Sequence, residues 1–208
     1  MSNADFNGKH LTEEKKLWDV YVQSRRIPSN RFNAITTSFV FLVLAANAVF
    51  TSQTSFEILN LVRALAENGF TIAFIAIGFL LTGFTVFSTI TQPSLFLAMA
   101  KVTNPESGLS YLKHNYFVFL RVFIYYLGFA VFSLSIMAFG HPGGAMPTLV
   151  SYFPSSDFFE VLLVKACYVV ILTWYYFLVV QLKSFLFNIY HSVMTSLRWE
   201  HEGHDKEG

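Results

Sequence analysis

The chain has 208 residues, of which 54% are hydrophobic, 18% are aromatic and only 13% are charged. Soluble domains carry about 25% charged residues, so this deficit indicates several helices that cross a membrane. With a net charge of +1, the chain lacks the basic excess typical of proteins that bind nucleic acid directly. Its single cysteine cannot form a disulfide framework or a cysteine-based zinc site.

The N-terminal segment, residues 1–31, is polar and charged, and it contains one short predicted helix. Leu17, Trp18 and Tyr21 form the apolar side of this helix. The pattern predicts a cytoplasmic amphipathic helix. It either lies in the headgroup region, with Trp18 at the membrane interface, or packs on neighbouring cytoplasmic elements.

Charge-poor stretches predict a four-span membrane domain over residues 32–190. At about 1.5 Å per residue, each stretch covers most of the roughly 30 Å hydrocarbon core of a bilayer. Arg121, Lys165 and Lys183 flank the apolar stretches, and we expect their long side chains to reach the membrane interfaces. The predicted spans are approximately 32–51, 70–90, 119–139 and 164–184.

The connections between the spans carry helix signals of their own. Thr54 and Glu57 have capping-box spacing, and an apolar periodicity follows them as far as Gly69, a predicted C-cap. This predicts a separate amphipathic helix over 52–68, resting on the outer membrane surface or on the ends of the spans. A second interfacial helix is predicted after Pro93. Asn104, followed by proline and glutamate, predicts the start of the third membrane helix.

Two patterns indicate contacts with other helices. Gly78 and Thr82 form a small-xxx-small pair in the second span, which allows close helix approach within one subunit or between two. The fourth helix is predicted to continue beyond Lys183 as a cytoplasmic helical stem, followed by a polar tail, within 185–208. The apolar stripe of this stem has nearly heptad spacing, and we expect it to cover the N-terminal helix, a sister subunit or a separate protein. The stripe consists of Leu186, Ile189, Val193 and Leu197.

The distribution of basic residues predicts the orientation. Of the 14 Lys and Arg residues, only Arg63 and Lys165 fall on the predicted outer side. Because the cytoplasmic flanks of membrane spans are rich in Lys and Arg, we expect both termini in the cytoplasm. The membrane is then the inner or plasma membrane of the cell.

The sequence shows no pattern for catalysis. It has no phosphate-binding glycine loop, and the four predicted spans contain no carboxylate for a hydrolase, an intramembrane protease or a proton-coupled carrier. His201 and His204 lie near acidic residues, but a terminal tail offers no rigid frame for a metal. We therefore expect no catalytic, cofactor or metal site, and no enzymatic activity.

The whole-chain plan is an all-α integral membrane four-helix bundle with short amphipathic interfacial helices and a fourth helix extending into the cytoplasm. In length, span number and missing catalytic residues it resembles the small membrane subunits of bacterial antiphage defence systems, in particular the membrane component of Kiwa. The resemblance implies an inner-membrane homo-oligomer that senses a phage-induced disturbance and signals to a cytoplasmic DNA-binding partner. The resemblance assigns no functional residue to this chain.

Two functions remain open from the sequence. The favoured one is a non-enzymatic, oligomeric membrane sensor or scaffold for a cytoplasmic partner protein. The alternative is a pore-forming effector or ion channel assembled as a homo-oligomer. A channel would place Asn47, Thr82, Ser133 or Thr173 around a common axis, so the polar lining distinguishes the two.

Overall fold

The computed structural model describes residues 11–152 and 156–203, with backbone only at Val150, Ser151 and Ser156. Within these ranges the chain is helical apart from its connections and one isolated antiparallel bridge between Thr103 and Ser110. The helices are α1 (Leu17–Ser24), α2 (Arg31–Phe50), α3 (Ser55–Ile90), α4 (Pro93–Lys101), α5 (Tyr111–Phe139), α6 (Ala145–Ser151) and α7 (Ser156–His201).

Four of the helices, α2, α3, α5 and α7, are long and apolar enough to cross a membrane. This confirms the predicted all-α class with four membrane-spanning helices. The predicted long fourth helix is also confirmed, since α7 has 46 residues. At 1.5 Å per residue it is about 69 Å long, more than twice the thickness of the hydrocarbon core.

The chain is organised into two compact units, each built from separate stretches of sequence. The first unit combines the described parts of 1–29, 79–124 and 182–208. The second unit combines 30–78 with the described parts of 125–181. Helices α3, α5 and α7 contribute residues to both units, so the unit boundaries fall inside helices.

Side-chain caps fix the beginnings of α2 and α3. The Asn30 carbonyl oxygen Oδ1 accepts a hydrogen bond from the Phe32 N–H at 2.9 Å. At α3, the Thr54 N–H donates to Glu57 Oε2 at 2.8 Å, and the Glu57 N–H donates to Thr54 Oγ1 at 3.3 Å. The predicted capping box is therefore confirmed, and it satisfies backbone donors that would otherwise lack partners at the helix start.

The prediction that a separate helix ends at Gly69 is wrong. Helix α3 continues through this residue for 36 residues in all. An alanine Cβ at Gly69 would lie 2.9 Å from Phe129 Cε1 and 2.9 Å from Tyr175 Oη. The glycine is thus used for close approach of α3 to α5 and α7. That packing outweighs the roughly 1 kcal/mol that glycine costs in a helix interior.

The prediction that the third membrane helix begins at Asn104 is also wrong, because α5 begins at Tyr111. Asn104 Oδ1 accepts the Glu106 N–H at 2.9 Å, and the Asn104 backbone oxygen accepts the Gly108 N–H at 2.9 Å. Gly108 has a φ of 68°, a left-handed conformation that a continuous helix cannot contain. The asparagine therefore caps a tight turn, and α5 starts after it.

In the second unit, α2 runs antiparallel to α7. Asn33 Nδ2 donates to the Val180 carbonyl at 3.3 Å near one end, and Asn47 Nδ2 donates to Tyr168 Oη at 3.1 Å near the other. In the same unit α3 and α7 are joined by the Tyr175 hydroxyl, which donates to the Leu65 carbonyl at 2.8 Å. Amide and hydroxyl groups thus link predominantly apolar helices.

In the first unit, aromatic side chains pack α5 against α7 and α3. The Phe119 and Phe185 rings are both buried, with centroids 5.3 Å apart, and Phe87 lies 4.9 Å from Phe119. The connection after α1 packs on the beginning of α5, where Ile27, Leu109 and Phe117 form a buried cluster. The N-terminal segment is therefore part of this packed unit.

Candidate functional site

The continuous course of α3 places the carboxylate of Glu67 within a helix long and apolar enough to cross a membrane, on the exposed side of that helix. Gly69 lies against Phe129 of α5 and Tyr175 of α7. Phe129 is ten residues before Phe139, the end of α5, and Tyr175 is ten residues after Lys165. Glu67 is two residues before Gly69, about 3 Å along the helix axis. It is exposed, and the described residues offer its carboxylate neither a hydrogen bond nor an ion pair.

Sequence reasoning missed this placement because it ended a helix at Gly69 and assigned Glu67 to the membrane surface. The statement that no predicted span holds a carboxylate depended on that boundary. With α3 continuous, this reason for excluding carboxylate-dependent transport no longer holds. The sequence signal that could have found it is the absence of any proline or second glycine near Gly69, which leaves the helix free to continue.

Glu67 belongs to an exposed face of α3 that is unusually polar for a membrane-spanning helix. At 3.6 residues per turn, seven residues spaced by 4, 4, 3, 4, 3 and 4 fall within an arc of about 80°. All are exposed. We call this the α3 polar face, and it consists of Glu67, Thr71, Ile75, Gly78, Thr82, Thr85 and Thr89.

Threonines on this face are partly satisfied by their own helix. The hydroxyls of Thr71, Thr85 and Thr89 donate to backbone carbonyls four residues earlier, at 3.2, 2.9 and 2.9 Å. A threonine bonded in this way can face lipid at small cost. The same exemption does not apply to Glu67, because a charged carboxylate inside the hydrocarbon core is expensive unless it is paired or hydrated.

Of the predicted small-residue pair, Gly78 and Thr82, the glycine makes no close approach to another helix among the described residues. A Cβ at Gly78 would meet no atom within 4 Å, and both residues are exposed. Close approach within the subunit instead uses Gly69 in the second unit and Gly83 in the first. At Gly83 a Cβ would lie 2.7 Å from Ile189 Cδ1. A contact of Gly78 and Thr82 between subunits stays a prediction.

The stem of α7 is packed along a different line from the predicted apolar stripe. Phe185 and Ser196 are buried, and the Ser196 hydroxyl donates to Thr91 Oγ1 at 3.4 Å. The predicted stripe lies beside this buried line: Ile189 and Val193 are half-buried, whereas Leu186 and Leu197 are exposed. Several large apolar side chains of the stem are left uncovered in the described structure. These are Leu186, Phe187, Tyr190, Met194 and Leu197.

Arg121 binds backbone rather than extending toward lipid headgroups as expected. Its Nη1 donates to the Ser24 carbonyl at 3.1 Å and to the Ile27 carbonyl at 3.0 Å. These carbonyls lie at and just beyond the end of α1, where helix carbonyls lack intrahelical partners. Close by in the first unit, Lys113 forms an ion pair with Glu14 at 2.8 Å, with side chains 13% and 10% exposed. Arg121 and Lys113 together hold the N-terminal segment.

The other predicted interface residues are placed as follows. Trp18 is 68% exposed, and its ring centroid lies 5.3 Å from that of Tyr21, with the two rings tilted by 38°. Lys165 is half-buried and Lys183 is exposed. These exposures are compatible with a membrane-interface role for the three side chains, which stays a prediction.

Most of the polar residues suggested for a channel lining face the packed interior or another helix. Ser133 is fully buried in the second unit, and its hydroxyl finds no partner among the described residues. Thr173 Oγ1 is likewise buried, and Asn47 is bonded to Tyr168. Of the four suggested residues, Thr82 alone belongs to the α3 polar face.

The described part of the chain contains no group of three or more His, Cys, Asp or Glu side chains that could hold a metal ion. His204 and Asp205 of the tail lie outside the described residues, so the tail is not covered by that statement.

Comparison of the chain with protein-family models, with curated proteins and with solved structures gives no match. The function is therefore inferred from the class of protein, an all-α chain with four membrane-spanning helices, and from the exposed surfaces described above.

Proposed function

We propose that the protein is a non-enzymatic, oligomeric membrane sensor or scaffold that serves a cytoplasmic partner protein. The observation that supports self-assembly is the exposed Glu67 on the α3 polar face, within a helix long and apolar enough to cross a membrane. Charged side chains at the centre of a membrane helix cost about 2.5–3.5 kcal/mol on insertion scales. A second copy of the same face would cover this side of α3 from lipid, with the facing Glu67 carboxyl groups sharing a proton, and Gly78 would allow close contact.

Partner docking is assigned to the stem of α7. Its five exposed apolar side chains have 46–65% of their surface uncovered. If the stem lies in the cytoplasm, as the distribution of Lys and Arg favours, these side chains face water. Exposed apolar patches with polar surroundings are typical of protein interaction sites.

The resemblance to the membrane component of Kiwa adds a biological role to this proposal. The protein would sit in the inner membrane with both termini in the cytoplasm, and it would respond to a phage-induced disturbance. A cytoplasmic, DNA-binding partner would then receive the signal through the stem. Direct contact of this chain with nucleic acid is not part of the proposal.

The assembly part of the proposal is tested by placing bulk on the α3 polar face. Thr82→Trp should shift the purified protein to a smaller oligomer in detergent, as measured by light scattering and cross-linking. Ile72→Trp is the matched control, because Ile72 is 51% exposed on the same helix but lies about 80° from Thr82. Unchanged oligomer size in Thr82→Trp, or an equal loss in Ile72→Trp, would contradict assembly through this face.

A homo-oligomeric pore is the second candidate, and the same α3 polar face favours it. Several copies of α3 around an axis would line a path with glutamates and threonine hydroxyls, as rings of Asp or Glu do in cation channels. In proteoliposomes, a pore would carry a cation current that Glu67→Gln reduces. A sensor or scaffold would leave the liposomes impermeable in both forms, so this measurement separates the two candidates.

A further inference from the structure

An elongated apolar cavity of about 370 Å³ lies in the second unit, between α3, α5, α6 and α7. This volume falls within the usual range for small-molecule sites, roughly 300–1,000 Å³. The cavity begins where α5 ends and α7 starts, at Pro142 and Glu160. It extends inward as far as Phe132 and Cys167. From Glu160 to Cys167 this is about 10 Å along the helix, so the cavity is long and narrow.

The walls of the cavity are almost entirely hydrocarbon. Phe56, Leu59, Val62, Ile136 and Val164 contribute to them, and all of these except Phe56 belong to the apolar cluster built on Ile58, Val62 and Val164. Such walls suit a saturated or mono-unsaturated acyl chain. Lipid tails are as apolar as these side chains, so burial alone gives no preference for this cavity over the bilayer. Selectivity has to come from polar groups at the cavity.

Two opposite charges line the cavity without pairing to each other. Arg63 Nε donates to the Gly140 carbonyl at 2.8 Å, and Arg63 Nη1 donates to Asn60 Oδ1 at 3.3 Å. These bonds fix the guanidinium and leave three of its five N–H groups. Glu160 lies on the other side, at the start of α7, and is exposed. The described residues provide neither Arg63 nor Glu160 with an ion-pair partner.

We propose that this cavity binds one phospholipid with a phosphoethanolamine headgroup. One acyl chain fills the apolar cavity, the phosphate accepts hydrogen bonds from Arg63, and the primary ammonium donates to Glu160. Arginine is suited to phosphate because its planar fork presents several donors at once. An anionic headgroup without an ammonium would leave Glu160 unpaired and close to its own negative charge. The inference goes beyond the proposed function and does not depend on it.

The experiment uses the full chain, purified and delipidated in detergent, and Cys167 as the reporter. Cys167 lines the cavity and is the one cysteine of the chain, so maleimide modification reports access to the cavity. Three lipids with identical acyl chains are titrated: phosphatidylethanolamine, phosphatidylglycerol and diacylglycerol. Phosphatidylethanolamine should slow the modification at the lowest concentration. Native mass spectrometry should show one such lipid retained per chain.

Charge variants connect the protection to the two side chains. Glu160→Gln and Arg63→Gln should each raise the half-protecting concentration of phosphatidylethanolamine about tenfold, the loss of one charge-assisted contact worth about 1.4 kcal/mol. Lys165→Gln is the matched control, since it removes a charge from the same helix but does not line the cavity. Arg63→Gln also weakens the bond to Gly140, whereas the Glu160 side chain makes no hydrogen bond or ion pair within the described structure that its replacement could break.

Three results would overturn the inference. Equal protection by all three lipids would indicate ordinary surrounding lipid. Equal protection by phosphatidylglycerol, with no effect of Glu160→Gln, would indicate a simple anion site. Absence of protection in the wild-type chain, together with no retained lipid in the mass spectrum, would show that no lipid enters the cavity.

Discussion

Replacement of Gly69 by alanine tests the close approach of α3 to α5 and α7, which defines the second unit. The new Cβ would lie 2.9 Å from Phe129 Cε1, against an optimal separation of about 3.5–4.0 Å between carbon atoms. Phe129 is fully buried, and the Tyr175 hydroxyl on the other side is held by the Leu65 carbonyl at 2.8 Å. Neither group can withdraw without disturbing a further contact.

The expected magnitude follows from two opposing terms. Overpacking of this kind costs about 1–3 kcal/mol, and alanine gains about 1 kcal/mol over glycine in a helix interior. Gly69→Ala should therefore range from neutral to about 2 kcal/mol destabilising. Gly78→Ala, on the same helix, meets no atom within 4 Å and should be stabilised by about 1 kcal/mol. The difference between the two variants, about 1–3 kcal/mol, isolates the packing term.

The assay is equilibrium unfolding of each variant in mixed micelles, followed by circular dichroism. It is performed at a detergent concentration where size-exclusion chromatography shows monomer, because Gly78 lies on the proposed subunit face. Equal free energies of unfolding for Gly69→Ala and Gly78→Ala would refute the close approach of α3 to Phe129 and Tyr175.

Three other variants test separate parts of the structure. Arg121→Gln removes two hydrogen bonds to backbone carbonyls, each worth about 1.5–3 kcal/mol. Trypsin should therefore cleave after α1 faster than in the wild type. An unchanged cleavage rate would show that other contacts hold the N-terminal segment. In a Cys167→Ser background, cysteine at Gln53 should react with an impermeant thiol reagent on intact cells and cysteine at Glu106 should not, and the reverse pattern would overturn the orientation. Leu197→Asp should leave the stability of the subunit unchanged but abolish co-purification of the partner. Ile189→Asp should destabilise the subunit, because Ile189 lies against Gly83. Equal stability of the two variants would contradict the packing of the stem.

The class of the fold was available from the sequence because hydrophobicity over some 20 residues is a local property. A charge-free run such as the one between Lys165 and Lys183 has few stable solutions other than a membrane-spanning helix, since every backbone polar group has to be satisfied internally. The cap at Thr54 and the length of α7 were predictable for the same reason. Capping needs only residues three apart, and no breaker interrupts α7 between Asp157 and Trp199.

The roles of Gly69, Glu67 and Arg121 depend on the tertiary structure. Gly69 looked like a helix end in sequence, and only the presence of Phe129 and Tyr175 beside it made an unbroken α3 favourable. The same continuity moved Glu67 from a separate surface helix into a helix long and apolar enough to cross a membrane. From the sequence, Arg121 was expected to reach lipid headgroups. In the structure it instead binds the carbonyls of Ser24 and Ile27, at and just beyond the end of α1. These outcomes depend on atoms far apart in the chain, and local pattern cannot contain them.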